Sequence, residues 1–428
     1  MRGHRLTASV MAGLLLCLLL TACAAEQTKD SRAGEGEQKI LNVWHQWGSG
    51  NKSEKFIQEA ADHYEKAHPD IKIKLHALST KTYTTKISMD FVGTAEDVDV
   101  FYYQVPSLMS QLVRADQLLP LNDYLSPKVL AKIKEGRLRD TTVGGKIYGL
   151  PLYSSVFVLY CNRALFRQCQ AELPATGEQL LDVGRELLKQ GITPLAVGAQ
   201  DSWLAGGLYE SIAVTGVGAD RMRAVAAGEL SMKEIPEFRT AAEQMNTLFE
   251  EGFLGELPLN MTEYDAMEAF FDGRAAMLLD GTWASEYIDN SGMDPEEIEV
   301  IGFPPYAGSR FAGNYVGSMT SGSFFVNKNT DLPEEAADFA IYLTEYLGTR
   351  VYESGSGLAC WDAERTSLSP TLKKVIALWD GADNYVSAWD TILPKESAQL
   401  HLRECQELLS PEADLEGFLA VHDEILMK

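Results

Sequence analysis

The chain has 428 residues and carries 61 Asp and Glu against 37 Lys and Arg, a formal net charge of −24 at pH 7. So acidic a body is a poor nucleic-acid binder, because affinity for phosphate comes from Lys and Arg, and it is repelled by anionic headgroups while suiting neutral or cationic ligands. The length exceeds what one small core supports, so two lobes are expected.

The first element is not part of the fold. Arg2, His4 and Arg5 precede an almost purely apolar run, Val10 to Leu20, too short for a spanning helix of about 20 residues and patterned as a secretory signal. Its close, "LTAC" (Leu20 to Cys23), resembles the lipobox of bacterial lipoproteins. That resemblance implies a signal peptide over 1–22 and a lipid on Cys23, which would anchor the mature chain to the outer face of the cell membrane. The segment 23–38 holds no large apolar residue beyond its start and reads as a tether.

From Ile40 onward strand and helix patterns alternate. Ile40 to Trp44 reads as a strand. Phe56, Ile57, Ala60, Ala61 and Tyr64 share one helical face, which Pro69 ends. "IKIKLHAL" alternates as a half-buried strand, a short helix follows, and "DVDVFYYQ" (Asp97 to Gln104) supplies another strand. This order predicts parallel pairing in an α/β layer. Further on, Thr262 and Asp265 form a capping-box pattern ahead of the apolar face Ala266, Met267, Phe270 and Phe271. Gly273 stands where that helix should end. "AAMLLD" then reads as a strand with Trp283 emerging at its tip. A strand, a turn and a helix opened by Pro333, Glu334 and Glu335 repeat the logic.

Catalytic signatures are missing from the sequence. There is no Gly-x-Ser-x-Gly, no HExxH and no phosphate loop, and neither cofactor nor metal is expected. Beyond Cys17 and Cys23, the thiols Cys161, Cys169, Cys360 and Cys405 allow two disulfides or four free thiols. What recurs is an aromatic residue beside a polar one at strand ends: His45 with Trp47, Tyr102 and Tyr103 with Gln104, Asp201 with Trp203, Asp280 with Trp283, and Trp361 with Asp362 after "SGSGLAC". Ligands of open α/β sheets bind beyond the carboxyl ends of the strands. Aromatic faces with interleaved carboxylates and amides suit a carbohydrate, whose C–H faces stack while its hydroxyls bond. Asp280 could equally cap its own turn.

Four stretches in order, "GGKIYGLPLYSSVFVLYCNRALFRQC", "GITPLAVGAQDSW", "AFFDGRAAMLLDGTW" and "VNKNTDLPEEAADFAIYLT", are similar to the extracellular solute-binding proteins of ABC importers, in the branch that binds sugars and oligosaccharides. The chain departs from that pattern at Thr176-Gly177, where the family usually has Thr-Trp. The resemblance implies an α/β, two-lobed periplasmic-binding-protein-like fold with a hinge and an interlobe ligand cleft. Lobe 1 would span 39–152 plus 302–347 and lobe 2 would span 153–301 plus 348–428. The crossings would lie within "LPLYSSVFV", near "IGFPPY" and around "TEYLGTRVYES". It places ligand contacts on His45, Trp47, Tyr103, Gln104, Asp201, Trp203, Asp280 and Trp283, with Ser318 and Trp361 as further candidates. It implies a non-enzymatic monomer whose partners are a carbohydrate, the permease subunits and, through Cys23, the membrane. The alternatives are a surface glycan hydrolase, or the same scaffold holding a peptide or polyamine.

Overall fold

The computed structural model describes residues 38–427, apart from 49–51, 79, 92, 94, 105–106 and 364–367. The signal segment and Cys23 lie outside the described residues. In chain order the strands begin with β1 (Lys39–His45), β2 (Ile71–Ala77), β3 (Val100–Tyr103), β4 (Thr142–Val143), β5 (Lys146–Ile147) and β6 (Tyr153–Asn162). They continue with β7 (Thr193–Ala196), β8 (Ala275–Gly281), β9 (Ile298–Ile301), β10 (Asn314–Ser318), β11 (Ser323–Val326), β12 (Leu358–Ala359) and β13 (Asn384–Ser387). They form two main sheets, β11-β3-β1-β2 and β13-β10-β6-β8-β7, with β9 and β12 also paired to β6 and a separate β4-β5 ladder.

The first sheet has the expected parallel core, β1 pairing with β2 on one side and β3 on the other, while β11 closes the edge antiparallel to β3. Alternation fixes which side chains enter the core. Ile71 and Ile73 of β2 are buried and Lys72 and Lys74 exposed. The helix Lys52–Ala67 covers this sheet with Ile57, Ala60, Ala61 and Tyr64, and the Tyr64 hydroxyl donates to Asp338 at 2.6 Å. That links it to the helix Pro333–Ser354, which ends at Gly355 in the left-handed region (φ 92°).

In the second sheet β8 is buried along its whole length. Ala276, Met277 and Leu279 enter one cluster and Ala275 and Leu278 another, so the strand is sandwiched between two helical layers. The helix Glu263–Phe271 that precedes it carries the expected capping box, Thr262 and Asp265. The helix Ser202–Val217 is buried from Leu204 to Val217. An all-round apolar helix of this kind has no amphipathic stripe and can only sit inside a core. Among the described residues the cysteines Cys161, Cys169, Cys360 and Cys405 are free thiols.

The chain passes between the sheets side by side with itself. The Leu152 amide donates to Gly322 O at 3.2 Å and the Ser321 amide to Tyr153 O at 2.8 Å. Ser323 Oγ donates to Leu150 O, and Ser154 Oγ to Met319 O, each at 2.6 Å. The crossing expected near Ile301–Tyr306 therefore lies at Met319–Gly322. Phe303, Tyr306 and Val316 are buried in the second sheet's cluster, and β10 pairs with β6 and β13, so 302–318 goes with the second sheet and not with lobe 1. A third connection follows Gly355. There Trp361 Nε1 donates to Pro151 O at 2.7 Å, tying it to the first.

Candidate functional site

A cleft of about 1130 Å³ opens between the two sheets. One wall is built on β6, β8 and the Ser202–Val217 helix. Phe157, Trp203 and Trp283 form an aromatic triad there: Trp203 and Trp283 meet edge to face at 5.6 Å between centroids, and Phe157 lies 6.1 Å from each. Opposite, Trp47 packs on Tyr102 at 4.3 Å, and Tyr153 lies where the chain crosses. Polar groups stand between the rings: Gln46, Gln104, Ser155, Ser318, Glu263, Asp390 and Thr391. Tyr264 and Tyr287, both largely exposed, meet edge to face at 6.1 Å on the rim.

The Trp283 ring is held at its polar edge. Its Nε1 donates to Glu263 Oε1 at 2.7 Å, and the Glu263 amide donates to Asp201 Oδ2 at 2.8 Å. The ring also lies over Gly281, where a Cβ would come within 2.2 Å of it. Burial raises the Glu263 carboxyl above the usual range, the indole bond opposes this, and Asp201 adds to it. Asp280 is fully buried; its Oδ1 accepts from the Gly281 amide at 2.7 Å while Oδ2 has no partner. Burial, then the nearby Glu263 charge, pushes the Asp280 carboxyl well above its ordinary value, favouring the protonated form.

Of the residues the sequence pointed to, Trp47, Gln104, Trp203, Trp283 and Ser318 line this cleft. Asp201 and Asp280 stand behind the wall, one holding Glu263 and the other closing its own turn. His45 is buried in the core. It shares the inward face of β1 with Leu41 and Val43, and the alternation carries that face through to the last residue. Burial depresses its imidazole to about 4, and Nδ1 has no partner. Tyr103 turns away with the cluster around Phe101 and Tyr83, whereas Tyr102, one residue earlier and on the opposite face, lines the cleft. Trp361 is a core residue, 1% exposed, held by the Pro151 carbonyl.

Sequence reading missed Tyr153, Phe157, Glu263, Asp390 and Thr391. Phe157 and Tyr153 are three and seven residues before the Tyr160 that ends the "LY" of β6, where the apolar run looks like core throughout. Glu263 was visible only as an acid in a helix's first turn. Among the described residues no group of three His, Cys, Asp or Glu is placed to hold a metal, and no helix is long and apolar enough to cross a membrane.

Residues 47–346 match the family model of the bacterial extracellular solute-binding protein. The chain is 24% identical over 327 residues to an uncharacterized ABC transporter extracellular-binding protein of Pyrococcus horikoshii, covering 76% of this chain and 72% of the relative. It is 20% identical over 410 residues to the multiple sugar-binding protein of Streptococcus mutans (90% of this chain, 94% of the relative). A structure solved in work on xylan utilization by Caldanaerobius polysaccharolyticus superposes with a TM-score of 0.83 at 25% identity, covering 90% of this chain and 99% of the other. A chitin oligosaccharide binding protein shares the fold at a TM-score of 0.79 and 22% identity, over 90% and 98% of the two chains. With about 70% of its length matched, the chain belongs to the bacterial extracellular solute-binding protein family.

Proposed function

We propose that this chain is the lipid-anchored binding subunit of an ABC importer, which captures an oligosaccharide between its lobes and delivers it to the membrane permease without altering it. The observation that supports this reading most is the Phe157–Trp203–Trp283 wall facing Trp47 and Tyr102 across a cleft dotted with carboxylates, amides and hydroxyls. Rings of this kind stack on the C–H faces of sugars, while the polar groups match hydroxyls. Relatives named for multiple sugars and for galactooligosaccharides point the same way. Closure would bury rings from both sides on one solute, so the solute favours the closed state by its extra contacts there. The contacts carried by Trp47, Gln104, Trp203, Trp283 and Ser318 are part of this proposal, as are acylation of Cys23, attachment to the outer face of the cell membrane and a monomeric state.

A thermal-shift panel of xylo-, chito- and galacto-oligosaccharides, raffinose and stachyose tests it. A solute that binds only the folded state raises the melting temperature by mass action. At least one member should do so and be recovered intact; turnover of a member, or no shift from any, overturns the reading. Mass spectrometry of the membrane-extracted protein should find a diacylglyceryl group on Cys23 as the first residue.

A further inference from the structure

Behind the cleft wall lies a chain of buried titratable groups that solute stacking does not use. Glu210 of the Ser202–Val217 helix, His401 of the helix Lys395–Glu407 and His422 of the helix Leu415–Leu426 are each 0–1% exposed. His422 Nδ1 lies 2.7 Å from Phe418 O, His422 Nε2 lies 2.9 Å from His401 Nδ1, and His401 Nε2 lies 3.0 Å from Glu210 Oε1. Glu210 also accepts from the Trp389 amide, at 3.2 and 3.1 Å to its two oxygens. Cys405 Sγ stands 3.8 Å from His401. Burial, then the Glu210 charge, raises the Asp390 carboxyl on the cleft side to about 7; Asp423 bears on His422, and Glu404 and Asp390 bear on Cys405.

The proton count follows from the bonds. A carbonyl only accepts, so His422 Nδ1 donates to Phe418 O. One proton must occupy each of the other two gaps as well. Three protons on two imidazoles and one carboxyl leave the unit with no net charge, wherever each proton sits. Among the described residues no Lys or Arg pairs with this buried unit, so the uncharged arrangement costs least in this interior, and it puts the third proton on Glu210. The direction of the burial shifts agrees: Glu210 is pushed up to about 8 and both imidazoles are pushed down to about 3.

This unit reaches the cleft through one turn. Trp389 is buried, and its neighbours Ala388, Asp390 and Thr391 line the cleft. Glu210 stands seven residues after Trp203, on the same face of the same helix. Gly206, between them, faces Leu402 and His401, so the helix Lys395–Glu407 can approach closely. We propose that Glu210 is a positioning residue for solute capture that works in its protonated form: it shares one proton with His401, and by accepting from the Trp389 amide it holds Asp390 and Thr391 in the cleft wall. Loss of that proton leaves a buried charge on Glu210 and one gap of the chain with two facing lone pairs, a cost that exceeds the strengthening of the Trp389 bond, and the 388–391 turn loosens. This rests on the oligosaccharide reading only for its effect on affinity; the proton and the turn are tested without a solute.

The test has two arms. In wild-type protein without solute, 15N NMR of the histidine side chains should show His401 and His422 neutral at about pH 6 and about pH 7, where free histidine titrates; an imidazolium signal from either overturns the proposal. Hydrogen exchange of the Trp389 amide, corrected for its intrinsic rate, should lose about tenfold in protection between about pH 6 and pH 9 in wild type and stay flat in Glu210→Gln, whose amide mimics the protonated acid. Equal loss in both, or none in wild type, overturns it. If Glu210→Gln does not fold, the wild-type NMR and exchange data still decide. In the second arm, xylotetraose, chitotetraose and raffinose are titrated at the same two pH values, with Asp390→Asn as a control for direct titration of Asp390. Affinity should fall about tenfold at high pH in wild type and in Asp390→Asn, and stay level in Glu210→Gln. No binding by any sugar at either pH, beside the expected exchange result, would fault the sugar reading and leave the proton assignment standing.

Discussion

Trp203 and Trp283 meet edge to face with their ring centroids 5.6 Å apart and their planes at 61°. One comes from the first turn of a helix and the other from the turn after a buried strand, so two rigid elements fix the angle between the rings. In the proposed site a solute seated on them would find a preformed corner, and little ordering cost would be left to binding. Trp283→Ala should therefore leave a folded protein, since the ring is only half-buried and such ring pairs contribute about 1 kcal/mol. The thermal shift given by the best sugar of the panel should vanish, with affinity down by at least about tenfold, or 1.4 kcal/mol. An unchanged shift removes Trp283 from the site.

Trp361→Ala should behave in the opposite way. Its ring is 1% exposed, its Nε1 is satisfied by Pro151 O, and it packs against Gly348. Truncation leaves a large cavity and an unpartnered carbonyl at a chain crossing. We expect a loss of about 3–5 kcal/mol in urea unfolding, with sugar affinity within about threefold of wild type under conditions where the variant is folded. A variant as stable as wild type with no sugar binding would return Trp361 to the cleft.

Trp361 also shows where sequence reading stops. Patterns confined to one element were legible: the alternation of β2, the capping box Thr262–Asp265, and the buried strip Ile57, Ala60, Ala61 and Tyr64. These depend on periods and caps that a short window contains. The alternation was not followed to the strand ends: His45, in step with Leu41 and Val43, was assigned to the cleft although its parity puts it in the core, and of the neighbours Tyr102 and Tyr103 the second was chosen, although it packs against the Phe101 cluster and Tyr102 lines the cleft. A glycine-rich approach to Trp361 looked like a loop at a cleft mouth. In the fold it is the segment that lays the indole against Pro151. Glu210 and Asp390 carry no local mark, because their meaning comes from elements nearly 180 residues apart.

His45 gives a pH prediction with a definite sign. Its folded pKa is depressed by burial from 6.5 to about 4, so the unfolded chain takes up a proton that the native state refuses. The stability this neutral imidazole contributes is present above about pH 6.5 and is lost as pH falls toward 4, at up to about 1.4 kcal/mol per pH unit. His45→Gln does not titrate there. Urea unfolding of the two proteins should show the variant gaining on wild type between about pH 6.5 and 4 and holding a constant difference above pH 7. Parallel curves would mean His45 is solvated in the native state.

Gly281→Ala probes how the corner is built. The added methyl would meet the Trp283 ring at 2.2 Å, and Gly281 is paired with Phe157 of β6 at the end of a strand that β7 also holds up to Leu278, which restrains its backbone. The ring must swing out, breaking the bond from Nε1 to Glu263 and the contact with Trp203. Overpacking of this kind costs about 1–3 kcal/mol. Sugar affinity should fall nearly as far as in Trp283→Ala, and tryptophan fluorescence should shift as the indole becomes exposed. Full affinity in Gly281→Ala would show that the ring's present orientation is not the one that binds.

Lys52 and Glu286 form an ion pair across the cleft mouth, with Ser356 donating to the same carboxylate. Lys52 begins the helix that covers the first sheet, and Glu286 lies on the helix Ala284–Asn290 after β8, so the pair joins the two halves and breaks when they separate. The Lys52 side chain is 63% exposed and that of Glu286 11% exposed, so the pair is partly screened and contributes no more than about 1 kcal/mol. That is enough to shift an open–closed equilibrium several-fold. Lys52→Met should raise the radius of gyration of the sugar-free protein in small-angle scattering and weaken sugar binding by about threefold to fivefold, without lowering the melting temperature of the free protein. Wild type in high salt should move in the same direction, whereas Lys52→Met should be indifferent to salt. If salt alters both proteins alike, some other charge holds the mouth closed.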